Sequence, residues 1–368
     1  MKVLSCHVEV EMGKQKSEAE PDSCDWPEPI VRVQSLSESG ELLIPNQYIK
    51  PQSERPCLYV KEMNIPVIDM TGLVISREET MKQISEACRK WGFFQLVNHG
   101  VWTELVDRVR ENWRKFFHER KEVKEKYANT PKTYEGYGSR LGVEKGAILD
   151  WSDYYYLNYL PHSHTKWPAH PPSLREVMEE YTKEILRLGE VLLKVFSLNL
   201  GVKEDTLQNA FGGAKDVGAC LRANFYPKCP QPDLTLGLSS HSDPGGMTFL
   251  LPDEQVFGLQ IRKDNQWVAI RPARDAIIVN IGDQLQVLSN SIYKSVEHRV
   301  VANPDKQRVS LAYFYNPKND ILIQPISELI TLETPALYSP MTFEEYRRFI
   351  RAKGPRGKFQ VESLKSQR

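Results

Sequence analysis

The chain contains 368 residues, 40% of them hydrophobic, a composition typical of a globular protein with a sizeable core. Its 48 basic side chains equal its 48 acidic ones, so there is no basic surplus of the kind that nucleic-acid binding needs. No apolar run approaches the roughly 20 residues of a membrane helix, and six scattered cysteines without a CxxC pair favour reduced thiols in the cytoplasm.

The first half of the chain predicts an extension followed by a mixed α/β region. Residues 1–62 are polar and carry several prolines, so we predict a loosely ordered extension with one short helix near IVRVQSLSESG. We assign residues 63–170 to an N-terminal region, with strands at NIPVIDM and FFQLVNHG on either side of a helix at SREETMKQISEACRKWG. A long amphipathic helix is predicted over residues 101–128, and residues 130–172 predict loop or short strand.

The second half predicts a β-rich core between helices, which we assign to residues 171–352, followed by a tail at 353–368. Ser173 and Glu176 form a Ser-x-x-Glu pattern that predicts a capping box at the start of a long helix. From Ala219 onward, short alternating or apolar runs separated by turn residues are typical of a sandwich or barrel. A second capping box, Thr342 with Glu345, predicts the last helix.

Three residues in this core form a candidate metal site. Because side chains alternate along a strand, His241 and Asp243 in GLSSHSDPGG point to the same side. His298, in the predicted strand YKSVEHRVV, is the candidate third ligand. Two imidazoles and one carboxylate are the ligand set of non-haem Fe(II) oxygenases. A lone His-x-Asp is more often a polar turn, so this pair alone does not decide between a turn and a metal site.

Arg308 and Ser310 follow His298 by ten and twelve positions and share one face of the next predicted strand. A guanidinium binds a carboxylate through two hydrogen bonds, so this pair suits one end of a dicarboxylate. A dicarboxylate that is also a 2-oxo acid could occupy two open positions of the metal. The pair therefore favours a metal site over a turn at His241.

The motifs HSDPGGMTFLL, EHRVV, RVSLAYFYNP, NFYPKCP and ACRKWGFFQLVNHGV resemble the plant family of 2-oxoglutarate- and Fe(II)-dependent dioxygenases, over about residues 63–352. The resemblance implies an α+β fold with a double-stranded β-helix (jelly-roll) core, an N-terminal mixed α/β region and flanking helices. It implies Fe(II) held by the metal triad, and 2-oxoglutarate as cosubstrate held by Arg308 and Ser310 with Tyr226 and Asn224. Ascorbate is expected to support activity. A binding module that has lost its iron is the non-enzyme alternative, which the intact motifs disfavour.

The strand CLRANFY adds a clue to the substrate. If Asn224 and Tyr226 face the site, Arg222 faces it too, and a buried arginine requires an anion. A structural salt bridge would also explain Arg222. Phe314 is in phase with Arg308 and is a candidate apolar wall.

Three longer stretches resemble the jasmonate-induced oxygenases: WPEPIVRVQSL, KTYEGYGSRLGVEKGAILDWSDYYYL and YRRFIRAKGPRGKFQVES. The resemblance implies 12-hydroxylation of jasmonic acid, which lowers active jasmonate and damps defence signalling. It also implies that Arg222, Arg347 and Phe343 bind the substrate, although helix phase does not choose between Arg347 and Arg348. The alternative is a flavonoid oxygenase resembling anthocyanidin synthase or flavonol synthase.

Overall fold

The computed structural model describes residues 25–57, 60–160, 166–214, 216–355 and 357–365. The helices in these ranges are α1 (Val33–Glu38), α2 (Gly72–Ile75), α3 (Arg77–Lys90), α4 (Thr103–His118), α5 (Lys121–Glu125), α6 (Leu174–Asn199), α7 (Thr206–Ala210), α8 (Asp283–Leu288), α9 (Phe343–Lys353) and α10 (Phe359–Ser363). Short 3₁₀ turns lie at Asn46–Tyr48 and Ser327–Leu329.

The strands in the same ranges are β1 (Glu62–Met63), β2 (Val67–Asp69), β3 (Phe93–Val97), β4 (Gly136–Gly138), β5 (Asp153–Leu160), β6 (Gly218–Tyr226), β7 (Leu238–His241), β8 (Met247–Leu251), β9 (Leu259–Lys263), β10 (Gln266–Ile270), β11 (Ile277–Ile281), β12 (His298–Val300), β13 (Arg308–Asn316), β14 (Leu322–Ile323) and β15 (Met341–Thr342).

Two sheets form the core. The larger has eight strands in the order β2-β3-β11-β8-β13-β6-β5-β4, and the smaller has five in the order β1-β10-β9-β12-β7. The predicted jelly-roll core and α+β class are confirmed. Both sides of the division that we predicted at residue 170 contribute strands to the larger sheet, in which β2 to β5 lie with β6, β8, β11 and β13. One sheet therefore supports both halves of the chain.

Helices α4 and α6 pack against each other and against β13 of the larger sheet. The predicted stripe at intervals of four in α4 is buried: Leu105, Val109, Trp113 and Phe117. The predicted long helix over residues 101–128 is wrong in one respect, because it is interrupted at Glu119, where the backbone is extended, before α5 begins. Helix α4 is the amphipathic helix that the spacing predicted. It covers the larger sheet on the side away from the candidate site.

The two predicted capping boxes have opposite outcomes. At α9, Thr342 accepts from the backbone N–H of Glu345, whose side chain accepts from the Thr342 backbone, so this box is confirmed. At α6, Ser173 makes no capping hydrogen bond, and the prediction is wrong. The hydroxyl of Ser173 instead donates to Asn112 Oδ1 of α4 at 2.8 Å. The backbone of Ser173 is helical, at φ −81° and ψ −7°, and not extended as an N-cap requires.

The part of the N-terminal extension that the structure describes is not loosely ordered. The predicted short helix forms as α1, and Val33 and Tyr48 are buried. Both carboxylate oxygens of the buried Asp153 accept from the first N–H groups of α1, at 3.0 Å from Val33 and 2.9 Å from Gln34. The polar composition led us to predict a loose extension, but the backbone N–H groups of Val33 and Gln34 are bound by a buried carboxylate. No helix in the described ranges is both long and apolar enough to cross a membrane.

Candidate active site

The predicted metal ligands meet where β7 and β12 pair. His241 ends β7 and His298 begins β12, and the two are cross-strand partners. Asp243 follows β7, and the Nε2 atoms of both histidines lie 3.6 Å from its Oδ1. One ligand atom from each residue lies within 4.8 Å of the others. The three residues therefore form one compact donor set.

The orientation of the two imidazoles leaves the Nε2 atom of each ring free to bind a metal. The Nδ1 atoms lie against backbone carbonyls, at 2.8 Å from Ser239 for His241 and at 3.1 Å from Val296 for His298. A carbonyl only accepts, so each Nδ1 carries the proton and each Nε2 has a free lone pair. Burial, and then the nearby His298, lower the pKa of His241 to about 4. The neutral ring that a metal requires is thus the stable form near pH 7.

The carboxylate of Asp243 is held from the larger sheet. Its Oδ2 accepts a hydrogen bond from Asn280 of β11 at 2.7 Å and another from Thr248 of β8. Burial alone would raise the pKa of Asp243, but the two imidazoles and these hydrogen bonds lower it. Oδ1 remains directed at the histidines. This donor set and its orientation fit Fe(II), which neutral imidazoles and a carboxylate bind in non-haem oxygenases.

The predicted 2-oxoglutarate residues also come together. Across the β13–β6 pair, Arg308 is the partner of Tyr226 and Ser310 is the partner of Asn224. The guanidinium of Arg308 lies 5.0 Å from the centre of the Tyr226 ring, and its Nη1 donates to Ser310 Oγ at 3.1 Å. Arg308 is buried, and its Nε has no partner in the described part of the chain. An unpaired buried guanidinium fits a carboxylate ligand.

The predicted substrate residues line a different cavity, of about 200 Å³, which also reaches His241 and Asp243. Its wall includes all four of them: Arg222, Phe314, Phe343 and Arg347. The guanidinium of Arg222 stacks 4.3 Å from the centre of the Tyr154 ring. No ion pair with Arg222 is found among the described residues, so the salt-bridge alternative for this residue is not supported.

The structure separates the two neighbouring arginines of α9. Arg347 faces the cavity and donates to Asn319 Oδ1 at 2.8 Å, whereas Arg348 is 63% exposed and pairs with Glu344. Arg351, one helical turn after Arg347, lines the same cavity. Sequence reasoning missed Arg351, although its spacing of four residues from Arg347 was an available signal.

Other residues of the site were also missed. Tyr154 and Tyr156 of β5 line the cavity, and the Tyr154 hydroxyl is fixed by the carbonyl of Arg140 at 2.7 Å and by Asn129 at 3.0 Å. The alternation in DYYYL was the available signal, because it gives both rings one face. The tail beyond residue 353, predicted as a separate segment, is attached to the core: Gly357 pairs with β7 beside His241.

Two family models match the chain. The model of the 2OG-Fe(II) oxygenase superfamily matches residues 217–317, which contain the donor set and Arg308. The model described as non-haem dioxygenase in morphine synthesis N-terminal matches residues 65–175. Together they cover more than half of the chain.

The chain is also similar to individual proteins. It is 60% identical to jasmonate-induced oxygenase 2 of Arabidopsis thaliana over 359 residues, covering 95% of this chain and 96% of that protein. It is 39% identical to flavanone 3-dioxygenase 2 of Oryza sativa subsp. japonica over 318 residues, 85% and 92% of the two chains. The crystal structure of JOX2 in complex with 2OG, Fe and JA matches with a TM-score of 0.88 at 61% identity, covering 93% of this chain and 100% of that one.

Proposed function

The chain belongs to the 2OG-Fe(II) oxygenase superfamily, and on that premise we propose that it hydroxylates jasmonic acid on the pentenyl tail, at carbon 12. The enzyme is a 2-oxoglutarate-dependent dioxygenase that requires Fe(II). When bound, the iron supplies the oxidative decarboxylation of 2-oxoglutarate to succinate and the transfer of one oxygen atom to the substrate. The residues of this chain bind the metal and 2-oxoglutarate, orient the substrate and exclude water from it.

The metal and the cosubstrate are assigned to two neighbouring groups of residues. His241, Asp243 and His298 hold Fe(II) through two Nε2 atoms and one carboxylate oxygen. Arg308 and Ser310 bind the distal carboxylate of 2-oxoglutarate, beside the ring of Tyr226. Asn224, the cross-strand partner of Ser310, completes this wall of the pocket. Because Tyr226 packs with Leu238 of β7, the cosubstrate pocket adjoins the strand that ends in His241.

The observation that carries the substrate proposal is the unpaired positive charge in the cavity beside the metal ligands. Arg222 and Arg347 both line it, and neither makes an ion pair with a carboxylate of the described residues. A guanidinium taken out of water without a partner is costly, so these two groups are best explained by an anionic substrate. Jasmonic acid has one carboxylate for the arginines.

The cavity also has apolar walls, and we propose that they hold the hydrocarbon part of the substrate. Phe314 and Phe343 line it together with His241 and Asp243. With the carboxylate held at Arg222 and Arg347, an extended molecule lies along the two phenylalanines towards the metal ligands. This arrangement excludes water from the tail and exposes a carbon far from the carboxylate to oxidation. The related structure contains JA together with 2OG and Fe, which supports jasmonic acid as the substrate.

A flavonoid is the alternative substrate, favoured by the relative that is a flavanone 3-dioxygenase and by the tyrosine rings of β5. A neutral polyphenol would stack on Tyr154 and Tyr156, but it would leave both arginines without a charged partner. The experiment is incubation with Fe(II), ascorbate, 2-oxoglutarate and either jasmonic acid or a dihydroflavonol, followed by mass spectrometry. A mass gain of one oxygen atom in jasmonic acid is expected. Oxidation of the flavonoid alone would overturn the proposal.

We place this reaction in the cytoplasm, where the cysteine pattern predicts reduced thiols. Ascorbate there would keep the iron reduced. Hydroxylation of jasmonic acid withdraws it from formation of the active hormone conjugate, so the enzyme would damp jasmonate defence signalling. Expression in plant cells followed by measurement of 12-hydroxyjasmonate and of the conjugate tests this role, with a rise in the first and a fall in the second as the expected result.

A further inference from the structure

A buried carboxylate outside the metal donor set contacts every segment that carries a metal ligand. Asp283, the first residue of α8, is 1% exposed. Its Oδ2 accepts from the hydroxyl of Ser242 at 3.1 Å, and Ser242 lies between the first two ligands. Its Oδ1 accepts from the hydroxyl of Ser295 at 2.7 Å, three residues before the third ligand. Its backbone N–H donates to the carbonyl of Asp243 at 2.8 Å.

The same carboxylate also contacts the helix that carries the substrate arginine. The hydroxyl of Tyr346, in α9, donates to Asp283 Oδ2 at 2.7 Å, and the ring of Tyr346 is buried. Tyr346 directly precedes Arg347 and lies three residues after Phe343, both of which line the cavity. A single oxygen atom of Asp283 therefore joins the loop between two metal ligands to the helix that binds the substrate.

Two backbone hydrogen bonds of Gly357, which follows α9 in the chain, make a second connection to the metal-ligand strand β7. The N–H of Gly357 donates to the carbonyl of Ser240 at 2.9 Å, and the N–H of Ser242 donates to the carbonyl of Gly357 at 3.2 Å. These bonds lie on either side of His241. The segment that follows α9 is thereby fixed to the edge of β7, and the side-chain link through Asp283 sets the position of α9 itself.

We propose that Asp283 is a positioning residue that fixes α9 relative to the metal ligands, so that a substrate held by Arg347 presents the correct carbon to the iron. This inference rests on the proposed function. A buried carboxylate is costly unless it is fully hydrogen-bonded, and here its hydroxyl partners come from three separate segments. Asp283 also borders the cavity, and the role proposed for it is to hold α9 in place through these hydrogen bonds. Small displacements matter, because misplacement by about 1 Å can reduce a rate by two orders of magnitude.

The test uses two matched tyrosine variants. Tyr346→Phe keeps the ring and removes the hydroxyl that reaches Asp283. Tyr338→Phe is the control, because this buried hydroxyl also bonds to α8, through Gln286 Nε2 at 2.8 Å, but does not reach Asp283. The measurement is succinate formed per molecule of hydroxylated jasmonate, with ascorbate present. In uncoupled turnover the second oxygen atom is reduced to water by the ascorbate.

We expect the parent protein and Tyr338→Phe to form about one succinate per product, and Tyr346→Phe to form on the order of five. Nickel affinity by calorimetry and the thermal unfolding temperature should be the same in the two variants, which separates positioning from loss of the metal or the fold. An unchanged ratio in Tyr346→Phe, or an equal rise in Tyr338→Phe, would overturn the inference. If the parent protein oxidises another acid and not jasmonate, the proposed function fails. The ratio of succinate to hydroxylated product, measured with that acid, then tests the positioning role of Asp283.

Discussion

His241 and His298 are cross-strand partners on β7 and β12, and their ring centres lie 4.2 Å apart. The pairing of two short strands therefore sets the separation of two ligands that are far apart in the chain. The rings are tilted by 49° to each other, and both Nε2 atoms approach the same oxygen of Asp243. The pairing of β7 with β12 and the position of Asp243 thus bring the three donors together.

We expect His241→Ala to abolish metal binding and succinate formation, because two protein donors do not hold Fe(II) as three do. Calorimetric titration with nickel and a succinate assay measure the two effects. His118→Ala is the control, since His118 is exposed on α4. Succinate formation at the parent rate by His241→Ala would falsify the metal assignment.

Arg347→Ala and Arg348→Ala form a matched pair on one helix. The first removes a cavity-lining guanidinium, and the second removes an exposed one that pairs with Glu344. A charge-assisted hydrogen bond contributes about 1.5–3 kcal/mol, so Arg347→Ala should raise the KM for jasmonate roughly 10- to 100-fold. Arg348→Ala should leave it unchanged. Steady-state kinetics with jasmonate distinguish the two, and equal effects would contradict the assignment of the cavity.

Arg222→Ala and Arg308→Ala should act on different molecules. Arg222 lines the cavity beside the metal ligands, whereas Arg308 stacks on Tyr226 and bonds to Ser310. We expect the first variant to raise mainly the KM for jasmonate and the second mainly the KM for 2-oxoglutarate. Varying each substrate at saturation of the other measures both constants. If Arg222→Ala changed the two constants equally, its partner would be misassigned.

The candidate site could be predicted from the sequence wherever one strand or one motif carries the information. His241 with Asp243 and Arg308 with Ser310 are each two residues apart, so alternation gives each pair one face. The same alternation predicted Arg222. Contacts between elements that meet only in the folded chain could not be predicted. Asn280 and Thr248 reach Asp243 from β11 and β8, and nothing in their own strands points to it.

For the fold, too, features within one element could be predicted, and contacts between distant elements could not. The stripe of α4 and the capping box of α9 depend on neighbours within one turn, and both are present. The box at Ser173 failed because the Ser173 backbone is already helical, whereas an N-cap residue is extended. Asp283 looks like an ordinary first residue of an exposed helix, yet all six residues of α8 are buried. Burial of a polar segment is decided by its tertiary partners, which a single sequence does not reveal.

The last prediction concerns the N-terminal extension, which Asp153 holds against the core. Its carboxylate accepts from the backbone N–H groups of Val33 and Gln34, and also from the hydroxyls of Ser139 at 2.5 Å and Tyr137 at 3.3 Å. Asp153→Ala leaves these donors without their acceptor in a buried place. We expect the free energy of unfolding to fall by about 2–4 kcal/mol.

Urea unfolding followed by tryptophan fluorescence measures this loss, and Glu41→Ala, at an exposed position of the same extension, is the control. The control should change the free energy of unfolding by less than about 0.5 kcal/mol. Asp153 directly precedes Tyr154, the ring on which Arg222 stacks, so the KM for jasmonate should rise as well. A variant as stable as the control would mean that the extension is held by its apolar contacts, such as those of Val33 and Tyr48, and not by the buried carboxylate.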